Sequence, residues 1–98
     1  MRFDWDDSKA ASNRRKHGVS FEEAATVFAD PFAVRVHDEL HSTDVETRWI
    51  VLGLSARTRV LFVVFCEVGR TTIRIISARG ATMRERRDYE ENRHRYGG

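Results

Sequence analysis

Arginine occupies positions 74, 79, 84, 86 and 87 of the stretch IRIISARGATMRERRDYE, residues 73–90, and Tyr89 follows two residues after the last of them. Arg57 and Arg59 stand in the polar segment SARTR at 55–59. A guanidinium stays charged at any working pH and presents a planar fork that matches phosphate or carboxylate. Taken singly, each arginine reads as solvated or ion-paired, and Arg86 and Arg87 have Glu90 and Glu91 four residues on. Taken together, they read as a phosphate-binding surface with Tyr89 placed to stack on a base or to move a proton. A non-catalytic RNA or DNA binder, or a docking surface for an acidic protein, would use the same residue types.

Other chemistries find less support. The chain has no P-loop, no G-x-G-x-x-G and no nucleophile elbow. Ser55 and Ser77 have no histidine beside them in sequence, which argues against a serine hydrolase. His37 and His41 in HDELH are four apart, but metal ligation at that spacing needs a helix, and this segment leaves a strand for a polar loop. No metal or other cofactor is expected. His17 falls at the end of a helix, where the helix dipole favours an imidazolium, with general acid as a second role. Cys66, the single cysteine, lies inside VLFVVFCE, reads as an inert core residue and fits a reducing compartment.

The elements that must position these residues follow from periodicity. RFDW forms a short edge strand. Asp6 or Asp7 caps a helix that runs to His17, and Gly18 stops it. Ser20 and Glu23 make a capping box for a second helix, whose stripe of Phe21, Ala24, Ala25 and Phe28 faces a core and which ends before Pro31. FAVRVHD alternates as a strand near a sheet edge with one wet face. RWIVLGL and VLFVVFC are apolar on both parities and read as central strands, and TTIRIIS as the last. Thr82 and Glu85 open a terminal helix that reaches about Arg95. The expected fold is therefore α+β: two N-terminal helices, an antiparallel meander of about four strands, and a C-terminal helix. The helix pair covers one face of the sheet and leaves the other open to a ligand.

At 98 residues the chain makes one domain, here taken as 1–98. The net charge of +2 hides a division: residues 70–98 carry eight arginines against four acids, and residues 20–47 carry seven acids against Arg35. The basic ends tilt toward an anionic partner. The longest apolar run, Val60–Cys66, is too short to span a membrane, and MRFDWDDSK has no secretory hydrophobic region, so a cytoplasmic protein with no membrane partner is expected.

Several stretches in order resemble the BrnT toxins: FDWDDSKAASNRRKHGVSFEEAATVFADP, ETRWIVLGLS, RVLFVVFCEVG and IRIISARGATMRERRDYEE, covering about residues 3–91. The resemblance implies a RelE-like fold and an RNA-cleaving toxin of a bacterial type II toxin–antitoxin system. It implies neutralisation by a BrnA-like antitoxin, a ribbon-helix-helix DNA-binding protein, with operator DNA bound only through the complex. The family pattern falls on Arg48 in ETRW, Glu67 in FCEVG, Arg74 and Arg79 in IRIISAR, Tyr89 in RRDYEE, and Lys16 with His17 in KHGV. Position 80 is Gly where family members often carry a basic residue.

On that reading RNA is cut without metal, with the ribose 2′-hydroxyl as nucleophile. Arginine cannot take its proton but can stabilise the charge developing on phosphate. That role goes to Arg79 and Arg74, aided by Arg57 or Arg59. Tyr89, Glu67 or His17 serves proton transfer. Arg48, Lys16, Arg84, Arg86 and Arg87 contact RNA.

Overall fold

The computed structural model describes residues 1–44 and 46–97. In chain order it comprises β1 (Arg2–Asp4), α1 (Asp7–His17), α2 (Phe21–Thr26) extended by a 3-10 turn (Val27–Ala29), β2 (Val34–Asp38), β3 (Arg48–Leu54), β4 (Val60–Val68), β5 (Thr72–Gly80) and α3 (Met83–Gly97). The helix starts are those written in the sequence. Asp6 accepts from the Lys9 amide at α1, Ser20 from the Glu23 amide at α2, and Thr82 from the Glu85 amide at α3. Gly18 closes α1 in the left-handed region at φ 67°, and its N–H donates to the Arg14 carbonyl.

The sheet order is β1-β5-β4-β3-β2. Strands β2 to β5 form the expected antiparallel meander, and β1 joins β5 in parallel, so the whole sheet is mixed. The parallel pairing follows from connectivity: α1, α2 and the meander lie between β1 and β5 in sequence, and the long crossover returns the chain to the sheet edge in the same direction.

One face packs on α1 and α2. There Val19, Phe21, Ala24 and Val27 meet Val51, Leu61, Val63, Phe65, Ile73, Ile75 and Ala78. Phe28 stands edge-on to Phe65 at 4.9 Å, and Trp5 edge-on to Phe21 at 6.0 Å. Gly53 permits the close approach of the 3-10 turn: a Cβ here would lie 3.2 Å from the Cβ atoms of Val27 and Ala33. Helix α1 has little apolar surface, and Asn13 fastens it instead. Its side-chain amide donates to the carbonyls of Val19 and Ala78 and accepts from the Ala78 N–H. Asn13 thus completes β5 beyond the reach of β1, as a strand would.

The second face is partly covered by α3. Tyr89 and Asn92 hold that helix: the Tyr89 hydroxyl donates to Asp30 at 2.5 Å, and the Asn92 amide to the Phe32 carbonyl at 3.1 Å. Strand β2 lies at the sheet edge with Arg35 and His37 exposed, as expected, and Val36 on the other side is exposed as well. Val34 and Val36 pair beside Leu52 and Ile50 on the second face. Arg35 lies over the rings of Phe28 and Phe65, and His37 rests 5.2 Å from Trp49, on the side of the helix pair. The aromatic rims accept these polar side chains as stacked partners, which alternation alone does not reveal.

Candidate active site and nucleic-acid interface

Arg74 and Arg79 are five residues apart, and in a regular strand they would project from opposite faces. A bulge changes this. Val64 pairs with Ser77 and Phe65 with Ile75, which leaves Ile76 as the extra residue of β5. Arg74 therefore pairs with Cys66 and Arg79 with Phe62, two β4 residues of one parity. Both arginines emerge on the second face. The same slip keeps Ile73, Ile75 and Ala78 together in the core.

Around Arg74 the sheet aligns a row of polar side chains. Asp38, Arg48, Cys66, Arg74 and Asp4 are successive register partners across all five strands. The Arg74 guanidinium donates to both carboxylate oxygens of Asp4, at 2.9 and 3.3 Å, and Arg48 donates to Glu46 at 2.8 Å. Both ion pairs are partly open to solvent. Together with Lys9, Trp5, Asp6 and Ile76 these groups line a cleft of about 420 Å³ between the start of α1 and the second face. Cys66 sits between the two arginines, and burial pushes its thiol above the ordinary value.

Arg79 stands farther along the same face. Four residues of β4 separate its partner Phe62 from Cys66, about 13 Å at the usual strand rise. Its guanidinium lies 4.0 Å from the centre of the Phe62 ring and donates to both oxygens of Glu85, at 2.8 and 2.9 Å. Glu85 in turn accepts from the Thr82 N–H, so Arg79 braces the capping box that starts α3. This bidentate pair holds the Glu85 carboxyl below its usual range.

The remaining arginines and proton-transfer candidates are dispersed. Arg59 donates to both oxygens of Glu23 at 2.7 and 2.6 Å, and to the Gly18 carbonyl at 3.0 Å. Glu23 is only 6 % exposed and also accepts from the Ser55 hydroxyl. Arg57 is exposed in the β3–β4 loop, and Lys16 and His17 are exposed at the end of α1. Glu67 pairs beside Ile73 and so starts from the face opposite Arg74, where it lines a hollow with Arg35 and Arg70, and at the end of β4 it also borders a hollow shared with Glu46, Cys66 and Arg74. Tyr89 is 1 % exposed. Burial and its hydrogen bond to Asp30 push its hydroxyl well above the ordinary tyrosine value. Arg84, Arg86 and Arg87 are exposed on α3. In HDELH, His41 contacts Asp38 at 2.9 Å while His37 stacks on Trp49. Among the described residues no three His, Cys, Asp or Glu side chains are arranged to hold a metal ion.

A family model described as the ribonuclease toxin, BrnT, of type II toxin–antitoxin systems matches residues 5–85. The chain belongs to the BrnT family. A toxin of this class has an antitoxin as its partner and RNA as its substrate. The fold is similar to that in the 1.1 Å crystal structure of the Brucella abortus ribonuclease toxin, BrnT, with a TM-score of 0.66 and 24 % identity, over 85 % of this chain and 99 % of that one. No curated protein matches the sequence. The family match takes in Arg48, Arg74 and Arg79 and ends in the first turn of α3, so Tyr89 and the outer arginines Arg86 and Arg87 lie beyond it.

Four ionisable cleft residues were absent from the site read in the sequence: Asp4, Asp6, Lys9 and Glu46. Lys9 was visible only as part of a basic run, and Glu46 as part of a polar loop. Asp4 becomes a site candidate only through β1, whose parallel pairing lays it against Arg74.

Proposed function

We propose that the cleft around Arg48 and Arg74 is where this BrnT-family chain cleaves RNA, by attack of the ribose 2′-hydroxyl on the adjacent phosphate and without a metal ion. The observation that carries this reading is that Arg48 and Arg74 flank Cys66 in one register row and line one cleft, with the bulge of β5 setting Arg79 on the same open face. In the proposed reaction the scissile phosphate exchanges with Asp4 and Glu46 for the two guanidinium forks, which then stabilise the dianionic phosphorane. A freed carboxylate of the cleft, Asp4 or Glu46, takes the 2′-hydroxyl proton, and the Lys9 ammonium protonates the departing 5′-oxygen. Arg79, about 13 Å away along the face, holds a neighbouring phosphate. Tyr89 and Arg59 act as positioning residues: one anchors α3 to Asp30, the other neutralises buried Glu23. Arg57, Arg84, Arg86, Arg87 and Lys16 supply outlying positive charge for the RNA, His17 stands beside Lys16, and Glu67 starts from the opposite face.

The antitoxin is proposed to be BrnA-like, a ribbon-helix-helix protein that carries the pair to operator DNA, and the toxin to act in the cytoplasm. Among the described residues no helix is long and apolar enough to cross a membrane.

The test is single-turnover cleavage of a single-stranded RNA, with and without EDTA, by wild type and by Arg48→Ala and Arg74→Ala. Each substitution is expected to slow cleavage about 100-fold, the usual cost of one transition-state donor, with unchanged circular dichroism. EDTA is expected to leave the rate intact, and the product to end in a 2′,3′-cyclic phosphate. Wild-type rates in the double variant would sink the assignment. RNA that is bound and never cut would favour the non-catalytic reading.

A further inference from the structure

The second face carries another hollow, on the far side of Phe62 from β5. Its floor is apolar: Val34, Val36, Ile50, Leu52 and Phe62 from β2, β3 and β4. Its wall is α3, which turns Glu85, Asp88 and Glu91 toward the floor at successive turns, with Arg95 at the far end. The volume is about 350 Å³, room for a few side chains and not for a folded domain. Val36 is 48 % exposed on β2, an edge strand whose outer side meets no other strand of the sheet. A contiguous apolar floor at an open sheet edge marks an interaction surface.

The charge on the wall decides what the occupant is. Glu85 is engaged by Arg79, whereas Asp88 and Glu91 make no ion pair among the described residues. Two unneutralised carboxylates over an apolar floor repel a phosphate backbone and offer no cation to hold it, Arg95 excepted. They attract lysine or arginine side chains carried by a segment that also presents apolar ones. The proposed RNA cleft is balanced instead, with Lys9, Arg48 and Arg74 against Asp4, Asp6 and Glu46.

We infer that the groove between α3 and strands β2–β4 receives an amphipathic basic segment of the antitoxin, whose apolar side chains fill the floor and whose cations pair with Asp88 and Glu91. The existence of an antitoxin rests on the family membership; the place and chemistry of its docking rest on the groove. The partner then seats beside the RNA cleft and needs no contact with Arg48 or Arg74. Asp88 and Glu91 lie beyond the residues that the family model matches.

The experiment co-expresses the chain with the product of its adjacent gene and measures the dissociation constant of the purified complex. Wild type, Asp88→Lys/Glu91→Lys and Val36→Glu are compared, together with RNA cleavage by each toxin alone. The groove variants are expected to weaken the complex at least 10-fold while cleaving RNA at the wild-type rate. The charge-reversal loss should be recovered in part by Lys→Glu changes in the partner segment. Wild-type affinity in both variants, or no complex with wild type, overturns the inference. So does tighter RNA binding by the charge-reversal variant with an unchanged complex, which makes the groove an RNA path. So does a toxin dimer in sedimentation that Val36→Glu dissolves without touching the complex. If wild type forms the complex and the groove variants break it, yet none of the toxins cuts RNA, the catalytic proposal fails and the groove stands.

Discussion

Single side chains in this protein carry charges that the fold has already engaged. Glu23 shows this best. Its carboxylate is buried, and the Arg59 guanidinium, with help from the Ser55 hydroxyl, holds its pKa below the ordinary 4.5. Asp30 would be raised by burial, but N–H donors of Leu54 and Phe32 and the Tyr89 hydroxyl hold it low as well. Carboxyls depressed in the folded state stabilise it at any pH above their unfolded values and lose that contribution as pH falls through the folded ones. Urea midpoints should therefore be level from pH 7 to 5 and drop below about pH 4.5, with a shallower acid limb in Glu23→Gln. An identical acid limb in that variant would remove Glu23 from the account. Asn13→Asp makes a second residue-scale case. It replaces a donor to two carbonyls with a second acceptor, and should cost about 2–3 kcal/mol by urea denaturation. The sequence showed the capping residues because their spacing from the helix start is fixed. It did not show Asn13, whose partners at Val19 and Ala78 are brought to it only by the tertiary fold.

At the scale of elements, strand periodicity and turn chemistry were enough to place three helices and a meander, since each is a local property of a few residues. The pieces that stayed hidden are non-local. The bulge at Ile76 leaves ISAR apolar and polar in an order that fits either phase, and only pairing with β4 selects one. Removing Ile76 would leave a regular β5 in which Ser77, Ala78 and Arg79 keep their β4 partners Val64, Val63 and Phe62, so the deletion variant is expected to stay folded by circular dichroism at 25 °C with Arg79 on the second face. An unfolded deletion variant would show that Ile76 does more than absorb one residue of register between Arg74 and Arg79. The approach of the 3-10 turn to β3 is equally a property of packing. Gly53→Ala would press a methyl on Val27 and Ala33 and should cost about 1–3 kcal/mol, read as a lower urea midpoint with an unchanged m-value.

Across the whole molecule four of the arginines recognised in sequence serve three places: Arg48 and Arg74 the cleft proposed for RNA, Arg59 the buried Glu23, and Arg79 the root of α3, while Arg57, Arg84, Arg86 and Arg87 are exposed. Residue type identified them as phosphate or carboxylate partners, and only the fold shows which they are. Binding of single-stranded RNA should weaken with salt, and the Arg48→Ala/Arg74→Ala double variant should flatten the slope of log K against log salt by about 1.4, near 0.7 for each phosphate no longer neutralised. An unchanged slope in a fluorescence titration would place the RNA elsewhere. Arg79 joins these places. The guanidinium proposed to hold a phosphate on the open sheet is also the one that secures the first turn of α3, and α3 is the wall of the apolar groove. An anion drawing on Arg79 competes with Glu85, so loading one side of Phe62 loosens the helix on the other. By reciprocity, a partner that clamps α3 tightens Glu85 on Arg79 and lowers the affinity for the anion. On the docking proposed above, the protein would be silenced from behind its own helix, through a single shared charge, with its cleft left open.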